Sequence, residues 1–427
     1  MDHSDLARLV TTFLPADFIE REAASLGIIK RQRRVCLVPL VWTLILGMVS
    51  APTSSFASLH RLYVLITAKT LARSSFYERL TPDITALFAR LLERMLRSNQ
   101  RAHSHWLEHH AEDFDQVLAT DSTVVSLRKA LEDTWAACQN GKSALKLHTT
   151  VNVLDFKLHR VTFTDQNTHD LIGLKTIRRF CNRRLLLFDL GYYDFATFHA
   201  IDKAGGYFLT RAKSNLSATL LEVFETGSGA HCNLVGMEVK HALKRSKRKV
   251  IEGVVELSSG KGKTKRTVRC RFVAVRSEEG KYHTYLTNLP LSTYPGEEVG
   301  QLYRMRWQVE KMYSHLKSDG HLDEQPSAKE HLVKLRIYAV LLAYGLVGRL
   351  CERMRRKHPS GRYPVSRGMR TLAMLGQGLL EEISLPWRSK ERRSSLDYFE
   401  QMTRDPNDFR ERPEDPLIRC SDLRYAA

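Results

Sequence analysis

The sequence predicts an α/β fold: a mixed β-sheet with flanking helices, interrupted by a β-rich insertion and enclosed between helical N- and C-terminal regions. Two observations carry this. From Asp115 the chain leaves helical periodicity for short β-branched runs, QVLATDSTVV, KLHTTVNVL and KLHRVTFTD, each bounded by polar residues. Helical and strand patterns then alternate: a helix over about 170–180, the continuous apolar run RLLLFDLG expected of a strand buried on both faces, a helix over about 194–203, and a strand in GYFLTRAK.

Residues 1–112 read as helical. The stripe Ile84, Leu87, Phe88, Leu91, Leu92, Met95 and Leu96 has a helical period, with Thr81 as N-cap and Pro82 as first helical residue. Upstream, SSFASLHRLYVLI and TLARSSFYERL read as two short helices joined by a turn. Ser74 or Ser75 caps the second, and Arg73 and Arg79 lie on its exposed side. A helix-turn-helix that reads DNA has this pattern, and so has any helical hairpin. The apolar run from Val35 to Val49 is interrupted by Pro39 and falls short of the ~20 residues that span a bilayer, so it reads as a buried helix.

Residues 113–213 contain the alternating strands and helices. Residues 214–295 break that rhythm with KVIEGVVEL, TVRCRFVAV and YHTYLTNL, separated by Gly, Ser and Lys stretches. In TVRCRFVAV, Val268, Cys270, Phe272 and Ala274 alternate with Arg269, Arg271 and Val273, which predicts one apolar face and one face carrying two arginines. Twelve lysines or arginines lie between Lys240 and Arg271 against two acids, the composition of a phosphate-facing surface or of a solvated charged face. Helices return over 296–350 and in 351–427, which ends in a polar tail from Asp405.

With 43% hydrophobic residues the chain can bury a core, which excludes global disorder. Its 66 basic and 47 acidic residues leave a net charge of +19, which points to a polyanion partner, most often nucleic acid. The seven cysteines are scattered without CxxC spacing, as expected of reduced thiols and not of a zinc ribbon. The opening MDHSDLARLV lacks the features of a signal peptide, so a cytoplasmic protein with no membrane partner is expected.

The chemistry concentrates in QLYRMRWQVEKMYSHLK, residues 301–317. Read as one helix, Leu302, Met305, Val309, Met312 and Leu316 face the core. Tyr303, Arg306, Glu310 and Lys317 form a second stripe about 100° around it. Such a face suits a metal at Glu310 and phosphates at Arg306 and Lys317; an Arg306–Glu310 surface ion pair is the plainer alternative. Two further acids stand at strand ends: Asp121 in VLATDST and Asp189 after LLLF. Carboxylates there are unfavourable unless paired or metal-bound, and three that converge can hold two Mg²⁺ ions through hard oxygen ligands.

Asp121 in TDST, Asp189 in DLGYYD and the Y-x2-R-x3-E-x6-K spacing of Tyr303, Arg306, Glu310 and Lys317 resemble the DDE transposases of bacterial insertion sequences that bear the YREK motif. The resemblance covers about residues 115–350. It implies a ribonuclease H-like core and an Asp121, Asp189, Glu310 triad that binds Mg²⁺, with Mn²⁺ as a substitute. It further implies cut-and-paste transposition on double-stranded DNA, namely terminal inverted repeats and target DNA, by a dimer in the synaptic complex. Residues 1–112 then become a DNA-binding region, 113–213 and 296–350 the catalytic core, 214–295 its insertion, and the protein is nucleoid-associated when bound to DNA. Hairpin-forming relatives hold a flipped base on an aromatic residue in the insertion, often tryptophan. None of the five tryptophans falls there, which leaves Phe224, Phe272, Tyr282 or Tyr285 as substitutes.

Three further features stand outside this pattern. His103, His105, His109 and His110 cluster near Trp106 and read as a solvated helix face. Lys146 and His148 either approach the edge of the site or fill the solvent face of a strand. His169 and Asp170 read as a helix start.

Overall fold

The computed structural model describes residues 5–28, 35–50, 55–67, 71–100, 114–132, 134–135, 143–174, 177–224, 233–259, 266–325 and 327–384. The histidine cluster at 103–110, Cys138, Cys232, Cys420 and the tail from Asp405 lie outside the described residues.

Nine strands form one sheet: β1 (Gln116–Ser126), β2 (Ala144–Asn152), β3 (Leu158–Asp165), β4 (Arg184–Phe188), β5 (Tyr207–Arg211), β6 (Leu220–Phe224), β7 (Val250–Ser259), β8 (Arg266–Arg276) and β9 (Tyr282–Thr287). Their spatial order is β3-β2-β1-β4-β5-β9-β8-β7-β6. β1, β4 and β5 run parallel, and every other pairing is antiparallel. The residues expected as an insertion continue this sheet, because β9 pairs with β5 through Leu209 and Thr287. β6, which the sequence reading did not separate, closes the far edge.

Strand alternation sorts the core into two layers. Val117, Ala119, Leu185, Leu187 and Leu209 face one layer. Helices α1 (Asp5–Phe13), α2 (Ala16–Ser25), α3 (Leu37–Ser50), α4 (Phe56–Thr67), α5 (Arg73–Tyr77) and α6 (Pro82–Gln100) supply side chains to it. So do α9 (Gly296–Arg304), α10 (Trp307–Ser318), α11 (Glu330–Lys357) and α12 (Val365–Ser384). Leu118, Leu186, Phe188 and Phe208 face the other layer, with α7 (Phe195–Lys203) and α8 (Val239–Arg245). β4 is therefore buried on both faces, which accounts for its unbroken apolar run.

Several local expectations hold. The Thr81 hydroxyl accepts from the Ile84 amide at the start of α6, as an N-cap does. α3 tolerates Pro39 because it falls in the first helical turn. α11 is long and apolar enough to cross a membrane, but 83% of its most apolar window is buried inside the protein, so its composition follows from packing.

Others do not. The described residues of 170–180 form short 3₁₀ turns over Asp170–Leu174 and Ile177–Arg179 in place of the expected helix. Gly173 weakens helix formation there, and Asp170 spends its side chain on the sheet. The N-cap of α5 is Ala72, so Ser74 and Ser75 lie inside the helix. Residues 301–317 are two helices: the amides of Met305 and Arg306 bond three residues back, to Leu302 and Tyr303, which tightens the chain between α9 and α10.

Candidate active site

Asp121 and Asp189 owe their closeness to register. β1 and β4 are paired from Gln116 with Arg184 to Thr120 with Phe188. Asp121 and Asp189 are the next residues on each strand, and adjacent strands lie about 4.8 Å apart. Both share the alternation of Val117, Ala119, Leu185 and Leu187, so both project to the layer that contains α10. Beyond Thr120, β1 continues to pair only with β2, which leaves its β4 side open at the acids.

α10 brings the third acid and is fixed to β1 by Tyr313. The buried Tyr313 hydroxyl lies 2.8 Å from the Asp121 carbonyl and 3.1 Å from that of Leu147, and it accepts from the Thr149 hydroxyl. One turn earlier on the same helix is Glu310. Between Glu310 and Asp121 sits the Arg306 guanidinium, 2.5 Å from Glu310 Oε1 and 3.8 Å from Asp121 Oδ2. The Arg306 side chain is 9% exposed and that of Glu310 37%, so the pair opens to solvent on the glutamate side.

The electrostatics are unbalanced. Burial pushes the Asp121 carboxyl up from 3.8 to about 6; the Ser122 amide and Arg306 oppose this, while the like charges of Glu310 and Asp189 add to it. Tyr303 is lifted to about 12, first by burial. Tyr303 Oη, Arg306 Nε and Arg306 Nη1 are buried without a hydrogen-bond partner among the described residues. Buried orphan donors are costly, so three beside three acids mark a place built for an oxygen-rich ligand.

The residues suit a divalent cation. Three carboxylates are hard oxygen donors, and added positive charge would offset the burial and the lesser repulsion that hold Asp121 up. As the side chains stand, no three acids, histidines or cysteines among the described residues are close enough to enclose an ion. Arg306 occupies the space between two of them.

The other expected site residues are dispersed. Lys317, seven residues after Glu310, keeps the same side of α10, but its amine is engaged: Nζ donates to the Val124 carbonyl on β1 at 3.1 Å and pairs with Asp323 at 3.2 Å. Arg271 is a correction. It was expected on an exposed face, but it is buried, donates to Glu252 at 2.7 Å and bonds the carbonyls of Leu289 and Pro290. The reason is α9, which covers that face of β7 and β8; Gly296 at its start comes so near that a Cβ would overlap Glu252. Arg269 is exposed, 3.4 Å from Glu256. Arg73 is exposed beside Tyr77 on the five-residue α5, too short to lay several side chains along a groove, and Arg79 is half-buried. Phe272 and Tyr285 are buried, so neither is free to stack on a base.

Two residues escaped the sequence reading. Trp307 is 60% exposed, three residues before Glu310. Arg211 ends β5 on the site side, 6.0 Å over the Tyr303 ring. Trp307 is recognisable only once the chain is known to tighten at Met305–Arg306, and Arg211 only from the parallel order of β4 and β5.

The layout is that of a ribonuclease H-like α/β core with an acid-lined edge. Residues 112–346, more than half of the chain, match the family model described as Transposase DDE domain, and the chain belongs to that family. It is 25% identical over 236 residues to a putative transposase of Sinorhizobium fredii, a match that covers 55% of this chain and 61% of that one. It is 21% identical over 394 residues to the transposase for insertion sequence element IS231F of Bacillus thuringiensis, covering 80% and 79%. A stretch of 78 residues is 40% identical to a putative transposase of Escherichia coli, 18% of this chain and 21% of that one. The match to the Sinorhizobium relative thus spans about three fifths of that protein. Among solved structures, piggyBac transposase in a synaptic complex with hairpin DNA shares the fold at a TM-score of 0.51 and 9% identity, over 94% of this chain and 86% of that one.

Proposed function

We propose that the protein is a DNA transposase that binds transposon ends, cleaves them in a metal-dependent reaction and joins them to target DNA. The observation that carries this is the convergence of Asp121, Asp189 and Glu310 on one face of the sheet with an arginine among them and orphan donors beside them. Asp121, Asp189 and Glu310 would hold the metal, two Mg²⁺ ions or Mn²⁺ in their place. Held there, it would supply Lewis acidity at the scissile phosphodiester and lower the pKa of the attacking water or freed 3′ hydroxyl.

The chain's own groups do the rest. Arg306, released from Glu310, has two nitrogens free of hydrogen bonds to offer a phosphate in the forked geometry that lysine lacks. Tyr303 adds a third donor from the buried side. Tyr313 holds Glu310's helix at a fixed height over Asp121. Lys317, tied to Val124, sets the far end of that helix and contributes positive charge. Trp307 presents an exposed indole on which an unstacked end base can rest, which supports a hairpin route that Phe272 and Tyr285 cannot serve. Exposed Arg73, Arg269, Lys244, Arg245 and Lys247 supply phosphate contacts, which position DNA without reading it. The reading extends to residues 1–112 as a DNA-binding region and to a dimer acting on the nucleoid in the bacterial cytoplasm.

The test is single-turnover cleavage of end-containing duplex in Mg²⁺, followed by incubation with target plasmid. Asp121→Asn, Asp189→Asn and Glu310→Gln should each bind the duplex like wild type and fail to cut it. Cutting at the wild-type rate by any of them would remove that residue from the triad. Cleavage without joined products would make the protein a nuclease, and binding alone an inactive derivative.

A further inference from the structure

On the sheet face opposite Glu310, a fourth carboxylate lies beneath the two strand ends that carry Asp121 and Asp189. Asp170 Oδ1 accepts from Ser122 Oγ at 2.9 Å and from Lys146 Nζ at 3.3 Å, and His148 Nδ1 is 3.9 Å away. Lys146 also donates to the Thr168 carbonyl at 2.9 Å, and His148 Nε2 bonds the Thr164 hydroxyl at 2.7 Å. Register explains the assembly: Ser122 pairs with His148 and Val124 with Lys146 across β1 and β2, so these side chains share one face. The other oxygen of Asp170 lies close to the second strand end. A Cβ at Gly191, two residues after Asp189, would stand 3.2 Å from Asp170 Oδ2.

From Asp170 a short chain of contacts leads to the acid site. Ser122, held through its hydroxyl, gives its amide to Asp121 Oδ1 at 2.8 Å. Lys146 and Asp170 are both partly buried, and such ion pairs are weak evidence for stability, since apolar replacements often serve as well. Its place is the more telling feature: it bonds the residue whose amide reaches Asp121, and it lies against the turn after Asp189. Lys146 balances the charge of Asp170, so a fourth acid sits there without adding a full negative charge to the other three.

We infer that Asp170, held by Lys146, is a positioning residue that sets the spacing of Asp121 and Asp189 for their ligand through Ser122 and Gly191. This rests on the proposed metal-dependent cleavage. Asp170 touches neither DNA nor the reacting atoms; it acts through its neighbours.

The test uses the full chain with Asp170→Ala, Ser122→Ala, their combination, and Asp170→Asn, which keeps an oxygen acceptor for Ser122. Four quantities are measured: Mn²⁺ affinity by electron paramagnetic resonance, single-turnover cleavage, affinity for end DNA and the melting temperature. Asp170→Ala and Ser122→Ala should each lose about tenfold or more in Mn²⁺ affinity and cleavage rate, as outer-shell changes do, with DNA affinity unchanged. The double variant should be no worse than the poorer single one, because both break one link. Asp170→Asn should recover part of the loss. Wild-type Mn²⁺ affinity and rate in Asp170→Ala would overturn the inference, as would losses that multiply in the double variant, or a loss of DNA affinity in step with melting. A wild-type protein that neither binds Mn²⁺ nor cleaves would overturn the underlying function, and the inference with it; an active wild type with an equally active Asp170→Ala overturns the inference alone.

Discussion

Two arginine–carboxylate pairs lie in the same layer of the protein and behave as opposites. Arg271 and Glu252, on β8 and β7, are 6% and 1% exposed and matched one to one, and the arginine is further bonded to two carbonyls, although Arg271 Nε and Glu252 Oε1 find no hydrogen-bond partner among the described residues. Arg306 and Glu310 stand beside two more acids, one cation among three carboxylates, with one side open to solvent. The first pair is closed to solvent and balanced in charge, and it ties the Leu289–Pro290 segment before α9 to the sheet. The second is unfinished, and its imbalance is of the kind a ligand completes. An arginine in a DNA-binding protein is therefore not evidence of a DNA contact; the balance of charge around it decides.

The largest effect should come from opening the closed pair. Arg271→Ala should cost about 3–5 kcal/mol, because it leaves Glu252 buried and uncompensated, and it should show as a large fall in urea midpoint. Replacing both partners with apolar residues, Arg271→Met with Glu252→Leu, should recover most of that loss. A mild Arg271→Ala with a specific defect in DNA binding would break the comparison.

Removing Asp121, one of the acids beside the unfinished pair, should do the reverse. A carboxyl whose folded pKa is about 6 against an ordinary 3.8 prefers to be protonated in the folded state. Its contribution to stability is full below pH 3.8 and is lost as pH rises through 6. Metal-free Asp121→Asn should thus be more stable than wild type at neutral pH, on the order of 2–3 kcal/mol, and the gap should close towards pH 4. Melting curves across that range check it, and a variant less stable than wild type at pH 7 would contradict it.

Tyr313→Phe should come next, at about 1–1.5 kcal/mol for a buried hydroxyl whose acceptors lose their donor. Cleavage should slow while DNA affinity stays, since only the seating of Glu310's helix changes. Unchanged cleavage would show that α10 is seated by packing alone. The smallest effect belongs to Arg269→Ala: within about 0.5 kcal/mol on stability, as for an exposed pair. Its salt dependence of DNA binding should flatten by about one phosphate contact. An unaltered salt slope would take Arg269 off the DNA surface.

How much of this was legible in the sequence follows from what each residue depends on. The strand bearing Asp121, the buried strand before Asp189 and the core stripe of α10 announce themselves, because period and burial are local properties. Arg271 misled because its strand alternates as a half-exposed strand would, and nothing near it in sequence tells that α9, twenty-five residues on, covers the second face. Lys317 sat at the right helical spacing and α10 keeps it there, but the Val124 carbonyl and Asp323, which come from other segments, engage its amine. Asp170 read as a helix start because its partners, Ser122 and Lys146, come from two other strands and meet it only through register.

The central claim is that Asp121, Asp189 and Glu310 hold metal together. It is tested most directly by replacing Mg²⁺ with Fe²⁺ in the presence of ascorbate and peroxide, so that the bound ion cuts the nearby backbone, and mapping the fragments by mass spectrometry. The account predicts cuts clustered at the three acids, chased by excess Mg²⁺ and lost in Asp189→Asn. Cuts confined to one of the three segments, or a pattern unchanged in Asp189→Asn, would contradict it.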